Sequence, residues 1–178
     1  DLLIYERSLN FLFIVAVRSL FPDARVRMEH ALSGGQYCEI DKAGYCKPQD
    51  VRKIEKRMKE LIAANEVIHR RVVATAEAQA YFDRLGMKNK ANLLACRKSA
   101  TSSIYTLCGY DDYFYGIMLP DTSYLTHFSI RFYAPGVWLS AGNGFQNQAK
   151  LFHVFQEFET WGRLIGVSNI AELNAQIQ

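Results

Sequence analysis

The sequence predicts an α+β fold: an antiparallel β-sheet curved around a central apolar helix, with further helices outside. Two observations carry this. Residues 5–20 hold Leu9, Leu12, Phe13, Ala16, Val17 and Leu20 at three- and four-residue spacing, and Phe11, Ile14 and Val15 fill most of the remaining surface. A helix apolar on most sides has to be covered from several directions. Strand-like runs also occur in pairs, before and after a helical middle, and short turn-forming segments join them.

The elements follow in order. Pro22 stops the first helix and Asp23 supplies turn chemistry. Residues 24–29 and 36–41 read as a hairpin with Ser33-Gly34-Gly35 at its tip. Pro48 opens a second helix with Asp50 in its first turn. Its stripe is Val51, Ile54, Met58, Leu61 and Ile62, and Asn65 is the expected stop. Residues 67–73 read as a strand. Thr75 is placed to cap a helix that Gly86 ends, and 88–97 continues as a short helix. Residues 102–107 are β-like, 110–119 are densely aromatic, and 120–123 make a turn. A strand pair follows at 125–133 and 137–141, joined at Pro135-Gly136. Gly142, Asn143 and Gly144 mark a loop. Residues 150–165 and 168–178 then read as helices separated by Gly166.

At 178 residues the chain is long enough for one domain with a real core. Its 49% hydrophobic and 22% charged content excludes general disorder. A net charge of +3 is too mild to imply nucleic acid by itself. Cys38, Cys46, Cys96 and Cys108 have no CxxC spacing, so a zinc ribbon is excluded and reduced thiols of a cytoplasmic protein are expected. The longest apolar run, 11–17, is too short to span a membrane. The abrupt start at Asp1 and the helical pattern running to Gln178 read as the cut ends of a longer polypeptide.

The motifs for phosphate loops, dinucleotide folds, nucleophile elbows and HExxH zinc sites are all missing. His30, His69, His127 and His153 lie far apart with no ligand spacing, and only His30 has an acidic residue, Glu29, directly beside it. Arg52, Lys53, Lys56, Arg57 and Lys59, with Arg70 and Arg71 beyond, could track an RNA backbone, or could be a solvated helix paired through Glu55 and Glu60. Tyr105, Tyr110, Tyr113, Phe114 and Tyr115 could stack bases, although aromatics in strands more often form core. Asp111-Asp112 reads as a turn or a rim charge.

Several segments, taken in order, resemble the second accessory (editing-type) domain of threonyl-tRNA synthetases, related to the alanyl type. They are residues 16–26, the run Gly35-Gln36-Tyr37-Cys38-Glu39-Ile40, residues 50–58, Asn65, Arg70-Arg71, residues 76–82, Gly116, Pro120 and Thr122-Ser123. The resemblance implies an editing site with two His on the first helix and a Cys and a His around a later glycine. At those positions this chain has Arg7, Phe11, Phe114 and Met118. Three His and a Cys can bind a metal or polarise a water, whereas Arg, Phe, Phe and Met cannot. The resemblance therefore implies a degenerate site with no metal and no catalytic residue. Asp111 or Asp112 is the expected partner of Arg7.

Tyr113-Phe114-Tyr115-Gly116, Leu119-Pro120 and residues 161–174 resemble more closely the form of this domain found in a group of uridine (nucleoside) kinases. There it lies between a ubiquitin-like domain and an ATP- and Mg-dependent kinase domain. This implies a non-catalytic accessory domain over 1–166, with 167–178 starting a linker helix. It also implies flanking domains of the same polypeptide as partners, with RNA as a further candidate and no membrane. The alternative is a tRNA-binding or aminoacyl-tRNA editing-type domain of a synthetase-related protein.

Overall fold

The computed structural model describes residues 2–32 and 34–141. Its class is α+β with antiparallel pairing in every ladder, as expected, but the strands sort into two sheets. The expected helices at 150–165 and 168–178, with His153, lie outside the described residues. No helix among the described residues is long and apolar enough to cross a membrane. The chain divides into two compact units.

The first unit comprises residues 1–19 and 56–126. It holds nearly all of helix α1 (Leu2–Leu20), the second half of α2 (Pro48–Ala63), and α3 (Thr75–Arg84) and α4 (Lys88–Ala95). Its sheet has the order β3 (His69–Ala74), β4 (Thr101–Leu107), β5 (Tyr110–Tyr113). The register sets Arg71 and Tyr113 on either side of Ile104, and Arg70 and Asp112 on either side of Tyr105. Alternate residues of β4 therefore serve opposite faces. On the Ile104 face, α3 and α4 supply Ala78, Phe82, Ala91 and Leu94 to a core that also holds Tyr113. On the Tyr105 face lies α1, with the Arg18 guanidinium 5.0 Å from the Tyr110 ring centre. Helix α1 buries Leu9, Phe11, Leu12, Phe13, Val15, Ala16 and Val17, the all-round burial that its composition demands.

In α2, the stripe Val51, Ile54, Met58 and Leu61 is buried. Asp50 accepts a hydrogen bond from the Lys47 backbone N–H at 2.9 Å, which is the return half of a capping box. Asn65 ends the helix in the left-handed region, with φ 51°. Thr75 does not cap α3: its hydroxyl donates to the Ser99 carbonyl at 2.7 Å and meets Ser102 Oγ at 2.8 Å. The residue sits where β3 runs directly into α3, and the cap position falls on Ala74.

The second unit comprises residues 20–55 and the described part of 127–178. Its sheet has the order β1 (Arg25–Leu32), β2 (Gly35–Asp41), β7 (Gly136–Ser140), β6 (Ser129–Tyr133). Every residue of β7 is buried, as a central strand requires. Leu32, Tyr37, Tyr133 and Trp138 form a core, and the Trp138 indole N–H donates to the Leu32 carbonyl at 2.6 Å. Gly136 lies so close to β2 that a Cβ there would sit 1.9 Å from the Cys38 carbonyl oxygen. His30 packs on Tyr37 with ring centres 5.4 Å apart.

Candidate functional site

The candidate site lies within the first unit, where α1 meets the loop after β5. Arg7 and Phe11 are one helical turn apart on α1, so they share a face. The Phe11 ring lies 5.2 Å from the Phe114 ring, tilted by 52°. The Arg7 guanidinium donates through Nη1 to the Ile117 carbonyl at 2.5 Å. It also lies over Gly116, where an added Cβ would be 2.7 Å from Arg7 Cζ. Gly116 has φ 108°, a conformation that L side chains rarely adopt. The loop is tied down further by Tyr105, whose hydroxyl donates to the Gly116 carbonyl at 2.6 Å, and by Ser8, whose Oγ accepts from Leu119 N at 2.9 Å. Met118 is half-buried in this loop.

The expected carboxylate partner for Arg7 is not the one used, because both aspartates are committed elsewhere. Neither is a turn or rim residue; both lie in β5. Asp112 is 2% exposed, pairs with Lys90 at 3.1 Å, and accepts from the Tyr113 N–H at 2.7 Å. Asp111 accepts from the Tyr81 hydroxyl at 2.5 Å, from Thr106 Oγ1, and from Arg71 at 3.3 Å. Burial disfavours its charge, but the hydrogen bonds from Thr106 and Tyr81 and the Arg71 charge outweigh that and hold its carboxyl below the usual range. Arg7 uses a backbone carbonyl instead, which leaves no unpaired buried charge.

A metal does not fit here. The side chains at the four positions are a guanidinium, two phenyl rings and a thioether, and the guanidinium is spent on a backbone carbonyl. Among the described residues, no cluster of three or more His, Cys, Asp or Glu could hold one. The cysteines are free; Cys38 and Cys46 are buried, and Cys96 and Cys108 are exposed. Burial pushes the Cys46 thiol up to about 11.

The basic residues differ in exposure and in what they bond. Arg52, Lys53 and Lys56 are exposed on α2. Arg57 is half-buried, donating to Ser19 Oγ at 3.3 Å and pairing with Glu60 at 3.2 Å. Arg70 and Arg71 are adjacent in β3 and so point to opposite faces. Arg70 donates to Ser103 Oγ at 3.0 Å, and Arg71 is neutralised by Asp111.

Two cations that residue type alone did not single out also border this loop. The Lys90 ammonium lies 4.8 Å from the Phe114 ring centre and donates to the Tyr113 carbonyl at 3.0 Å. The Arg97 guanidinium lies within 5.9 Å of the Tyr113 ring centre and 5.5 Å of the Tyr115 ring centre. A signal was present in the sequence: residues 84–110 carry Arg84, Lys88, Lys90, Arg97 and Lys98 and no Asp or Glu.

No family model matches the chain. It is similar to the threonine–tRNA ligase of Pelobacter propionicus, 34% identical over 137 residues, which is 77% of this chain and 22% of that protein. The threonine–tRNA ligase of Burkholderia lata is 34% identical over 136 residues, covering 76% of this chain and 21% of the relative. That of a Geobacter species is 32% identical over 152 residues, covering 85% and 23%. The chain thus spans about a fifth of the length of the curated relatives it matches. It is homologous to a segment of threonine–tRNA ligases, and its α+β architecture with antiparallel sheets is consistent with an editing-type domain.

Proposed function

We propose that this chain is a tRNA-contacting domain of the synthetase editing type in which the hydrolytic site has become a packed, non-catalytic contact. One observation supports this above the others. Where the resemblance implies metal ligands and water, Phe11 packs on Phe114 and Arg7 covers Gly116 while bonded to the Ile117 carbonyl. Ester hydrolysis needs a general base or an activated water beside the ester. None of Arg7, Phe11, Phe114 and Met118 can act as that base at neutral pH. The exposed cations Arg52, Lys53 and Lys56 on α2 would supply the sequence-independent attraction to the tRNA backbone.

The test has two arms. Seryl-tRNA incubated with the purified chain should be deacylated no faster than in buffer, and zinc should not co-purify in stoichiometric amount. tRNA should bind with a steep salt dependence, and changing Arg52, Lys53 and Lys56 together to Glu should abolish binding. Turnover that is lost on changing Arg7 or Phe114 would overturn the non-catalytic reading. Absence of tRNA binding at low salt would overturn the other half.

The kinase-linked reading is narrower. It rests on residues 113–116, 119–120 and 161–174 alone, and the similarity to threonine–tRNA ligases favours the synthetase-related reading instead. Its partners would be a ubiquitin-like domain and an ATP- and Mg-dependent kinase domain on the same cytoplasmic polypeptide. A phosphate-binding loop elsewhere in the full gene product, with nucleoside phosphorylation by that product, is the result it requires.

A further inference from the structure

The loop after β5 carries an exposed ring beside a fixed cation, and the packing already described does not use it. The Tyr115 side chain is 77% exposed. The Arg97 guanidinium lies 5.5 Å from its ring centre, within cation–π range. Arg97 is held in place, since Nη1 donates to the Tyr113 hydroxyl at 3.0 Å and Nε donates to the Thr101 carbonyl at 3.3 Å. Among the described residues no carboxylate is paired with it, whereas the neighbouring Lys90 is paired with Asp112. Lys98 is exposed next to it in the chain, within a 27-residue stretch, 84–110, that holds no acidic residue. Ile117, two residues on in the same loop, is also exposed.

An exposed aromatic face held against an unneutralised guanidinium has the features of a base-stacking step: the ring takes a base and the cations take the adjoining phosphate. A protein core gains nothing from a tyrosine left in solvent, and a purely electrostatic phosphate contact has no need of the ring. We propose that Tyr115, Arg97 and Lys98 form a stacking subsite for single-stranded nucleic acid. It would engage one unpaired base and its phosphate, and would discriminate against duplex, whose bases are already stacked. RNA and DNA share this chemistry. The proposal deepens the tRNA-contacting reading by giving a place for an unpaired end, but it stands on different residues.

The experiment uses the whole chain and fluorescence anisotropy with a short labelled single-stranded RNA of mixed sequence, its DNA counterpart, the matching RNA duplex, and tRNA. Variants are Tyr115→Ala, Tyr115→Trp and Lys98→Glu, all at exposed positions, with thermal melting to verify the fold. Binding to single strands is expected at low salt, about 50 mM. Tyr115→Ala should weaken it by about tenfold. Tyr115→Trp should restore it, and its indole emission should be quenched by the stacked base. The DNA arm reads whether the 2′-hydroxyl contributes; equal affinity supports a pure stacking site, and binding of neither strand overturns the proposal. Duplex bound as tightly as single strands, or a folded Tyr115→Ala variant binding like the parent, also overturns it. The outcomes separate the two readings. tRNA binding untouched by Tyr115→Ala removes this subsite and leaves the tRNA-contacting reading intact. Single strands bound through Tyr115 with no tRNA binding does the reverse.

Discussion

Replacing Thr122 with valine should destabilise the first unit by a few kcal/mol, although it changes neither volume nor charge. Thr122 is 0% exposed, at the start of the 3-10 turn Thr122–Tyr124. Its hydroxyl donates to the Leu61 carbonyl at 2.7 Å and accepts from the Glu66 N–H at 3.0 Å. The Leu61 carbonyl is one of the last in α2, where helix geometry leaves carbonyls without a partner. Around it the ladder closes otherwise: the Ala64 N–H goes to the Glu60 carbonyl and the Asn65 N–H to the Ile62 carbonyl. Valine fills the same space but leaves one acceptor and one donor unsatisfied. At about 1–3 kcal/mol for each of the two stranded groups, the loss is about 2–6 kcal/mol. At about 2–4 °C per kcal/mol for a chain of this size, the melting temperature should drop by roughly 4–24 °C. Thr122→Ser keeps both hydrogen bonds and loses only a buried methyl, costing about 1 kcal/mol. Urea unfolding followed by circular dichroism compares the three proteins. A valine variant within about 0.5 kcal/mol of the parent, or a serine variant as weak as the valine one, would refute the argument from stranded backbone groups.

Gly136→Ala should disrupt the second sheet, because the added Cβ would overlap the Cys38 carbonyl where Gly136 pairs with Glu39 at the end of the β2–β7 ladder; native-like near-ultraviolet circular dichroism from this variant would count against the close approach. Asp111→Asn should lower stability at neutral pH and flatten its pH dependence in acid. The Asp111 carboxyl is held below its ordinary value, so its contribution is present above the unfolded-state pKa and is lost as pH falls through the folded one. An unchanged acid limb in urea titrations would sink this. The Cys46 thiol is raised from 9.0 to about 11, so its contribution is complete below pH 9 and is lost as pH rises toward 11. Cys46→Ala should flatten the alkaline limb over that window, and an identical limb would show that the thiol is not responsible.

The candidate site was half legible. That Arg7 and Phe11 share a face follows from their spacing, since helix geometry is periodic and local. The partner of Arg7 was not legible: it is the Ile117 carbonyl, and every residue carries a carbonyl, so the acceptor leaves no mark on residue type. The burial of Asp112 was hidden for a related reason. A buried aspartate requires a partner, but that partner, Lys90, lies 22 positions away on α4.

Elements governed by neighbours in the chain could be read from the sequence alone. The apolar surround of α1 demanded burial, Pro48 and Asp50 opened α2, and Asn65 and Gly86 adopt the left-handed conformations that end α2 and follow α3. The hairpins of β1 with β2 and β6 with β7 followed from alternation and turn residues. Only the tertiary structure decided that β2 joins β7, across nearly a hundred residues, and that β3, β4 and β5 form a separate sheet. Strand alternation specifies which side chains face a core, but it does not specify which distant strand completes the ladder. The tertiary structure alone also decided which aromatics are core and which is left outside. Tyr105 and Tyr113 point into opposite sides of one sheet and are buried, while Tyr115, just past the strand end, has no layer to cover it.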